Sequence, residues 1–316
     1  VATSAVRLFL ERARLLRPDT ASDTVALRTV ARVCARLDGI PLAIELAASR
    51  VRSVSLDEMA RRLEDGLSVL GRGGADRATR HRTLEAAMEW SRDLLSATEQ
   101  RLLTELSFLV GDFSLEAAEA LHGTRDGVLE GVGQLVEHSL LQFRDSGSGG
   151  RYRMLETVRR FARSQVRTEA ETERLRARHA RYFLGYAEDA ARGRDTGFPG
   201  EVLLHLERER ENLGEALAHG DPETRVRLCA AVWPLWFTRG EVSQGLRWLR
   251  IALGAPTPIS PARATALYAA GSLSIFPSDH EGARRYLREA LDAERALGNP
   301  FGEVRVLNSL AVLSIE

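Results

Sequence analysis

The chain has 316 residues, a length that corresponds to two or three domains of roughly 100–200 residues each. Hydrophobic residues make up 44% of it and charged residues 28%, and no apolar run approaches the roughly 18 residues of a membrane span. It contains no lysine, and its 44 arginines balance 44 acidic residues, which argues against a dedicated, usually basic, nucleic-acid-binding domain. We therefore expect a soluble cytoplasmic protein in which Cys34 and Cys229 are reduced core thiols.

The first 75 residues carry a pattern typical of a small helical domain. Apolar residues at helical spacing predict one helix over residues 5–16 and a second over residues 25–37. Asp23 or Thr24 is suited to cap the second helix, because a short polar side chain at that position can accept a backbone hydrogen bond.

The stretch LDGIPLAIELAAS, residues 37–49, interrupts this helical pattern with a glycine and a proline. Gly39 suits the left-handed conformation that ends a helix. Pro41 suits the first turn of the next helix, where its missing N–H costs nothing. We therefore predict a tight corner between two packed helices.

Residues 71–82 are rich in Gly, Arg and Thr and are expected to form a linker into a second domain, over residues 80–170. In that domain LLQFR and RYRML alternate apolar with polar residues around DSGSGG, which predicts a two-stranded hairpin. The pattern also predicts helices near Leu84–Leu95, Thr98–Leu109, Ser114–Leu121 and Gly127–His138. Helices followed by a two-stranded wing are the layout of a winged helix-turn-helix domain.

Residues 171–316 are predicted to be helical throughout and contain an internal repeat. RWLRIAL (247–253) and RYLREAL (285–291) match at five of seven positions with an offset of 38 residues. This pattern indicates tetratricopeptide-like helical hairpins, although the offset exceeds the usual ~34 residues. Small residues are expected where paired helices approach closely, at Gly271, Ala283 and Ala290. Leu267 and Leu287 are expected to fill the space between these helices. The predicted fold class is mainly α, with a two-stranded wing and an α-solenoid.

The predicted recognition helix of the winged domain is poorly suited to reading DNA. It offers Glu130, Gln134, Glu137 and His138 but no arginine, and residues 80–170 contain 12 Arg against 14 acidic residues. Arginines do cluster after the wing, at positions 151, 153, 159, 160 and 163, so weak nonspecific contact with DNA stays open. A solvated or interdomain face is the favoured interpretation, and we expect no sequence-specific DNA binding by this domain.

Motifs for catalysis or metal binding are missing from the sequence. It has no G-x-x-x-x-G-K-[ST] motif, and without lysine the phosphate-binding ammonium of a P-loop is lacking. GRGGAD, residues 71–76, is better interpreted as flexible linker than as a phosphate cradle. The seven histidines show no acid pairing that would suggest a metal site, and no nucleophile elbow is present. We expect no catalytic residue and no metal ligand in this chain.

The order of these parts resembles a known family. LDGIPLAIELAASRV resembles the Gly-x-Pro motif of the helical lid in STAND-class nucleotide switches, the NB-ARC family. HRTLEAAMEWSRDLLSATEQRLLTELSFLVGDFSLEAAEAL, with the later RYRMLETVRRFA, resembles the winged-helix domain that follows the lid in bacterial members, especially large actinobacterial regulators. The tetratricopeptide-like tail completes that order, so the resemblance covers essentially the whole chain.

The resemblance implies a nucleotide-binding role for two short motifs. Pro41, with Gly39 before it, would lie against the adenine of a bound nucleotide; the alternative is a helix-start proline with no ligand. The family's Met-His-Asp motif corresponds to Met154, Leu155 and Glu156, so Leu155 replaces the phosphate-sensing histidine and puts that role in doubt. ADP or ATP with Mg²⁺ is expected only in a longer parent, and no cofactor in this chain.

Together these features predict the regulatory and sensor portion of a nucleotide-switched signalling protein that regulates transcription. The chain lacks an initial Met and stops inside a helical pattern, so we expect a fragment. Because it lacks a P-loop motif, we do not expect it to be an ATPase by itself. Its lid and winged helix would close on a P-loop domain of the same polypeptide. Two alternatives are a winged-helix regulator that binds DNA directly and a tetratricopeptide scaffold without switching.

The repeat arm is the predicted sensor, expected to bind a protein or peptide partner in the groove that its first helices line. Four aromatic residues on two successive first helices are candidates to reach that groove: Trp233, Trp236, Phe237 and Tyr268. The alternative is that these residues fill the core, as aromatic residues at helical spacing often do.

Overall fold

The computed structural model describes residues 4–21, 23–37, 39–68, 77–145, 149–192 and 200–315, without the side chains of 64–68, 77–83 and 315. Over these ranges the chain is mainly helical with one small sheet, as predicted. The elements are α1 Ser4–Leu16, α2 Thr24–Arg36, α3 Pro41–Ala48, α4 Leu56–Ser68, α5 Arg77–Asp93, α6 Ala97–Leu106, β1 Asp112–Phe113, α7 Leu115–His122, α8 Val128–Glu137, β2 Gln142–Asp145, β3 Gly150–Arg153, α9 Glu156–Ser164, α10 Glu169–Ala191, α11 Gly200–Arg208, α12 Arg210–His219, α13 Pro222–Arg239, α14 Val242–Gly254, α15 Pro261–Ser274, α16 His280–Ala296 and α17 Pro300–Ile315.

The chain divides into two compact units. The first comprises residues 1–108 and 113–167, and the second comprises residues 109–112 and 168–316. The finer division into a lid, a winged helix and a repeat arm stays a prediction. Among the described helices, none is both long and apolar enough to cross a bilayer.

The N-terminal helices of the first unit pack around one aliphatic core. α1 packs against α2 and α3, α2 against α4, and α3 against α5. Phe9, Val30 and Ile44 are fully buried in this core. Of the two residues predicted to cap the second helix, Asp23 does so, because its carboxylate accepts a hydrogen bond from the Ala26 amide at 2.8 Å.

The predicted corner between α2 and α3 is confirmed. Gly39 has φ +65°, in the left-handed region, and its amide donates to the Cys34 carbonyl oxygen at 3.1 Å. α3 then begins at Pro41. The glycine supplies a conformation that other residues rarely adopt, and the proline starts a helix without wasting a donor.

Residues 112–153 contain the predicted hairpin and one strand that was not predicted. β2 pairs antiparallel with β3, with Gln142 opposite Arg153 and Phe143 opposite Tyr152. β1 pairs with β3, giving the strand order β1-β3-β2. β1 is two residues long, too short for an alternating pattern to reveal it.

The linker predicted over residues 71–82 is wrong in its second half. α5 begins at Arg77 and continues to Asp93, so residues 77–82 are helical. Residues 71–76 lie outside the described part of the chain. The prediction failed because the Arg and Thr residues of this stretch also occur in loops, although arginine is a good helix former.

In the second unit, consecutive helices pack in pairs, and α13 to α17 form a solenoid-like stack. The repeated heptapeptides lie on α14 and α16, the second helices of successive pairs. Gly271 on α15 lies against Leu287 on α16, since a Cβ built at position 271 would be 2.6 Å from the Leu287 Cγ. Ala283 and Ala290 are fully buried, so all three small residues occupy the packing positions predicted for them.

Candidate functional sites

The corner before α3 lies at the surface of the first unit. Gly39 and Pro41 are both exposed, and nothing lies within 4 Å of a Cβ built at Gly39. An exposed proline at the first turn of a helix is open to a ligand, but it is equally what an ordinary helix start requires. The role of Pro41 against an adenine therefore stays a prediction.

Leu155 and Glu156 lie at the start of α9. Leu155 is the partly buried N-cap residue and makes no side-chain cap hydrogen bond. The exposed Glu156 carboxylate accepts hydrogen bonds from Arg159 Nε at 2.9 Å and Nη2 at 2.7 Å, one turn later on the same helix. α5 packs against both α3 and α9, which places one helix in contact with the elements that carry both candidate nucleotide motifs.

A buried arginine that the sequence analysis missed lies just after α3. Arg50 is fully buried, and its Nη2 donates to the Ser91 carbonyl oxygen on α5 at 2.7 Å. Its Nε and Nη1 have no hydrogen-bond partner among the described residues. Burial lowers the pKa of Arg50 to about 10, against the opposing effect of the Glu99 carboxylate. Leaving guanidinium donors unpaired in a protein interior is costly, so this position is under strain.

His138, at the end of α8, belongs to the same electrostatic cluster. Burial and then the positive charge of Arg50 lower its pKa to about 4, opposed by Glu99. Its Nδ1 also lacks a hydrogen-bond partner among the described residues. The cluster has one signal in the sequence. Arg50 follows the apolar helix PLAIELAA after a single serine, at a position where the helical pattern predicts a core residue.

The second unit contains a cavity of about 1050 Å³ on the surface formed by α13, α15 and α17. Three of the four predicted partner-binding residues, Trp233, Phe237 and Tyr268, line it. Trp236 is not among the lining residues and is only 4% exposed. Its ring instead faces α14, where a Cβ built at Gly245 would be 2.9 Å from the Trp236 Cε3. Of the two roles that the sequence left open, core filling is thus the one that fits Trp236.

The aromatic rings of the cavity form a continuous set of contacts. Trp233 contacts Phe237 and Tyr268 edge to face, with ring centroids 5.9 Å and 5.8 Å apart. Phe237 in turn contacts Phe276, at 5.5 Å. Such edge-to-face pairs favour a rigid surface, because the rings hold one another in place.

The polar end of the cavity was not predicted from the sequence. The buried Glu294 carboxylate accepts hydrogen bonds from Asn299 Nδ2 at 2.8 Å and Arg305 Nη2 at 3.2 Å. The Arg305 guanidinium also stacks over the Tyr268 ring, 4.3 Å from its centroid. Gly302 lies against Glu294, since a Cβ there would be 2.2 Å from the carboxyl carbon.

The histidines of the described ranges do not form a metal site. Contrary to the sequence prediction, several histidines do have an acid four residues away, and on α12 Glu215 and His219 lie 3.6 Å apart. Among the described residues, however, no group of three or more potential metal ligands comes together.

The outward face of α8 is apolar and acidic. Its exposed residues are Leu129, Glu130, Gly133, Gln134 and Glu137. This helix follows α7 and precedes the β2–β3 hairpin, the position of the recognition helix in a winged fold. This described surface carries no cation, and Gln134 is the side chain on it that could read a base edge.

Comparison with family models assigns this region. Residues 95–167 match a family model described as a winged helix-turn-helix domain. The first unit therefore contains a winged helix-turn-helix domain. Within it, α6, β1, α7 and α8 precede the β2–β3 wing.

Relatives of the whole chain also carry this type of name. The chain is 34% identical to the "Putative HTH-type transcriptional regulator Rv0890c" of Mycobacterium tuberculosis, over 98% of this chain and 37% of that protein. The same values hold for the "Putative HTH-type transcriptional regulator Mb0914c" of Mycobacterium bovis. The chain thus spans little more than a third of the length of these relatives.

One solved structure is similar across the chain. It is a signal transduction ATPase with numerous domains (STAND) protein with a tetratricopeptide repeat sensor, PH0952, from Pyrococcus horikoshii. The identity is 13% and the TM-score 0.34, covering 98% of this chain and 56% of that one. A likeness at this level adds no argument about the activity of this chain.

Proposed function

We propose that this chain is the regulatory and sensor portion of a nucleotide-switched transcriptional regulator. Its N-terminal helices and winged helix-turn-helix domain close on a P-loop domain of the same polypeptide, which binds ADP or ATP with Mg²⁺. The repeat arm binds a protein or peptide partner and so controls the switch. The chain itself contributes no catalytic residue.

The observation that carries the sensor role is the cavity on α13, α15 and α17. Three aromatic residues proposed from the sequence, Trp233, Phe237 and Tyr268, line that one cavity. Concave surfaces lined by aromatic side chains and a few polar groups are typical binding sites, because aromatic rings offer large contact area at low entropic cost.

Support for the nucleotide role comes from the corner before α3. Pro41 is exposed and follows a glycine held in the left-handed conformation, so the helix start is open to a ligand from outside the first unit. Without lysine the chain lacks the phosphate-binding group of a P-loop. We therefore expect the nucleotide to need the upstream domain for its phosphates and this chain only for its base.

The test is calorimetric titration of ADP and Mg²⁺–ATP into the 316-residue chain and into the parent polypeptide with its P-loop domain. Only the parent should bind, and Pro41→Ala in the parent should weaken binding. Pro222→Ala is the matched control, since Pro222 is also an exposed proline at the first turn of a helix, α13. Micromolar binding by the 316-residue chain, or equal effects of the two substitutions, would contradict the proposal.

The winged helix-turn-helix match favours direct DNA binding as a second candidate function. The acidic and apolar surface of α8 speaks against it, because DNA affinity is dominated by the neutralisation of phosphates. Packing against another domain suits such a surface better than contact with a polyanion.

A further inference from the structure

A polar group beside the cavity of the repeat unit has no partner in the described part of the chain. Ser272 on α15 lines the cavity and is 9% exposed. Its hydroxyl oxygen has no hydrogen-bond partner among the described residues and is itself buried, so a ligand in the cavity does not reach it directly. What the cavity offers a ligand is the exposed guanidinium of Arg305 and its aromatic rings.

Arg305 supplies charge at the same cavity. Its guanidinium has five N–H donors. Among the described residues its hydrogen bond is from Nη2 to Glu294, and its Cζ lies 4.3 Å from the centroid of the Tyr268 ring. Its side chain is 41% exposed, so the remaining donors can meet a group that enters from solvent. Glu294 is already satisfied by Asn299 and Arg305, which leaves the cavity with unused donors. An anion that accepts hydrogen bonds is the complementary ligand.

The aromatic walls of the cavity favour an apolar group beside that anion. Trp233 and Tyr268 form one wall, and exposed phenylalanines stand at its rim, with Phe301 88% exposed and Phe237 40% exposed. Phe276, which contacts Phe237, is 58% exposed. Large exposed aromatic residues grouped around one cavity are typical of a protein-binding surface, because a small molecule in the cavity would leave the rim in water.

The length of the cavity also favours a peptide. On α15 it runs from Pro261 to Ser272, eleven residues along the helix, which is about 16 Å at the rise of an α-helix. A peptide of about five extended residues spans that length. A free amino acid or a single aromatic acid covers only part of it.

We propose that this cavity binds an acidic peptide segment in which a leucine or aromatic side chain is followed within a few residues by a carboxylate. The apolar side chain packs on Trp233 and Tyr268, and the carboxylate pairs with Arg305. This inference rests on the proposed sensor role of the repeat arm and gives its partner a chemical class.

The probe is an array of acetylated, amidated octapeptides in which Leu or Phe is followed after one to four residues by Glu, with matched arrays carrying Gln or Arg instead. The 316-residue chain should retain the Glu peptides over the Gln and Arg peptides, and the best of them is then titrated by fluorescence anisotropy. Arg305→Gln should weaken that peptide roughly tenfold or more, as for a charge-assisted hydrogen bond.

Arg285→Gln is the matched control, because Arg285 also stacks on a tyrosine, Tyr286, but does not line the cavity. It should leave binding unchanged. Since Arg305→Gln removes a partner of the buried Glu294, its melting temperature is recorded, and Arg305→Lys serves as a second variant that keeps the charge and loses the planar fork.

Equal retention of Glu and Gln peptides would overturn the proposal, as would equal effects of the substitutions at Arg305 and Arg285. Binding of 3-phenylpropionate with no binding of any peptide would show a small-molecule site instead. None of these measurements involves a nucleotide, so their failure leaves the nucleotide titrations of the proposed function untouched, and failure of those titrations leaves the peptide result standing.

Discussion

Gly271 and Leu287 meet so closely that the two helices carrying them have no space for a side chain at position 271. A Cβ there would stand 2.6 Å from the Leu287 Cγ and 3.3 Å from the Ala283 carbonyl oxygen. We predict that Gly271→Ala lowers the free energy of unfolding by about 1–3 kcal/mol, the usual cost of overpacking. Urea unfolding followed by far-ultraviolet circular dichroism measures this change.

Gly214→Ala is the control for that substitution. Gly214 lies inside α12, and nothing is within 4 Å of a Cβ built on it. Here alanine should raise the free energy of unfolding by about 0.5–1 kcal/mol through its better helix propensity. If the two alanine variants changed stability in the same direction, close contact between α15 and α16 would not be the reason for the glycine.

Trp236 and Phe237 are neighbours with opposite environments, and their alanine variants should separate folding from binding. Trp236 is 4% exposed in the core, whereas Phe237 is 40% exposed at the cavity. Trp236→Ala should cost roughly 3–5 kcal/mol, as large core truncations do. Phe237→Ala should cost only about 0.5–1.5 kcal/mol, the value of its ring contacts.

Differential scanning calorimetry of the two variants, together with titration of the best octapeptide, checks this contrast. A Trp236→Ala protein that melts like its parent but loses the peptide would place Trp236 in the groove after all. A Phe237→Ala protein that melts far earlier than Trp236→Ala would show that the exposed ring is the more important structural element.

His138 should make the first unit sensitive to acid. Its pKa is lowered from 6.5 to about 4, first by burial and then by Arg50, with Glu99 opposing. As the pH falls from 6.5 to 4, the unfolded chain takes up a proton that the folded chain does not, so the free energy of unfolding decreases. His138→Gln lacks this component. As the pH falls from 6.5 to 4, its free energy of unfolding should therefore rise relative to that of the wild type by on the order of 1–3 kcal/mol.

Urea unfolding of both proteins at closely spaced pH values between 7.5 and 4, compared at each pH, isolates the histidine from the carboxylates that titrate in both proteins. A wild-type-to-variant difference that stays constant with pH would contradict the assigned environment of His138.

The 316-residue chain should not select a DNA sequence. The exposed face of α8 carries Glu130 and Glu137 and no arginine, so it offers phosphates no counter-charge. Anisotropy titration with a random duplex pool at physiological salt should show weak binding, and rounds of selection should enrich no motif. A Glu130→Arg/Glu137→Arg variant should bind duplexes more tightly and with steeper salt dependence if α8 can approach DNA. Enrichment of one motif by the wild type would instead favour the DNA-binding candidate.

Local rules predicted the corner and the hairpin of the first unit well. Gly39 and Pro41 act through their own backbone preferences, and the hairpin through alternation about a glycine-rich turn, so neighbouring residues hold all the information. β1 could not be predicted, since Asp112 and Phe113 form a strand only because β3 pairs with them. The start of α5 was missed because the composition of residues 77–82 suits both a loop and a helix.

The binding site was predicted in part for similar reasons. Aromatic residues on first helices stand out in a sequence, and three of the four line the cavity. Which of two adjacent aromatic residues faces inward depends on the rotation of α13 against α14, and the sequence does not state that rotation. Arg305 is a common residue type whose importance comes only from what surrounds it.

The enclosed guanidinium of Arg50 decides where this protein can be shortened for expression. Its hydrogen bond to the Ser91 carbonyl oxygen crosses from the turn after α3 to α5, and Ala87 of α5 belongs to the same core as α1 to α4. A piece that stops between residues 68 and 77 would keep the arginine but lose the helix that covers it. It would expose the apolar core that α5 covers, together with the Arg50 guanidinium, and would be prone to precipitate. Material for crystallisation or NMR is better cut after residue 167, where the first unit ends.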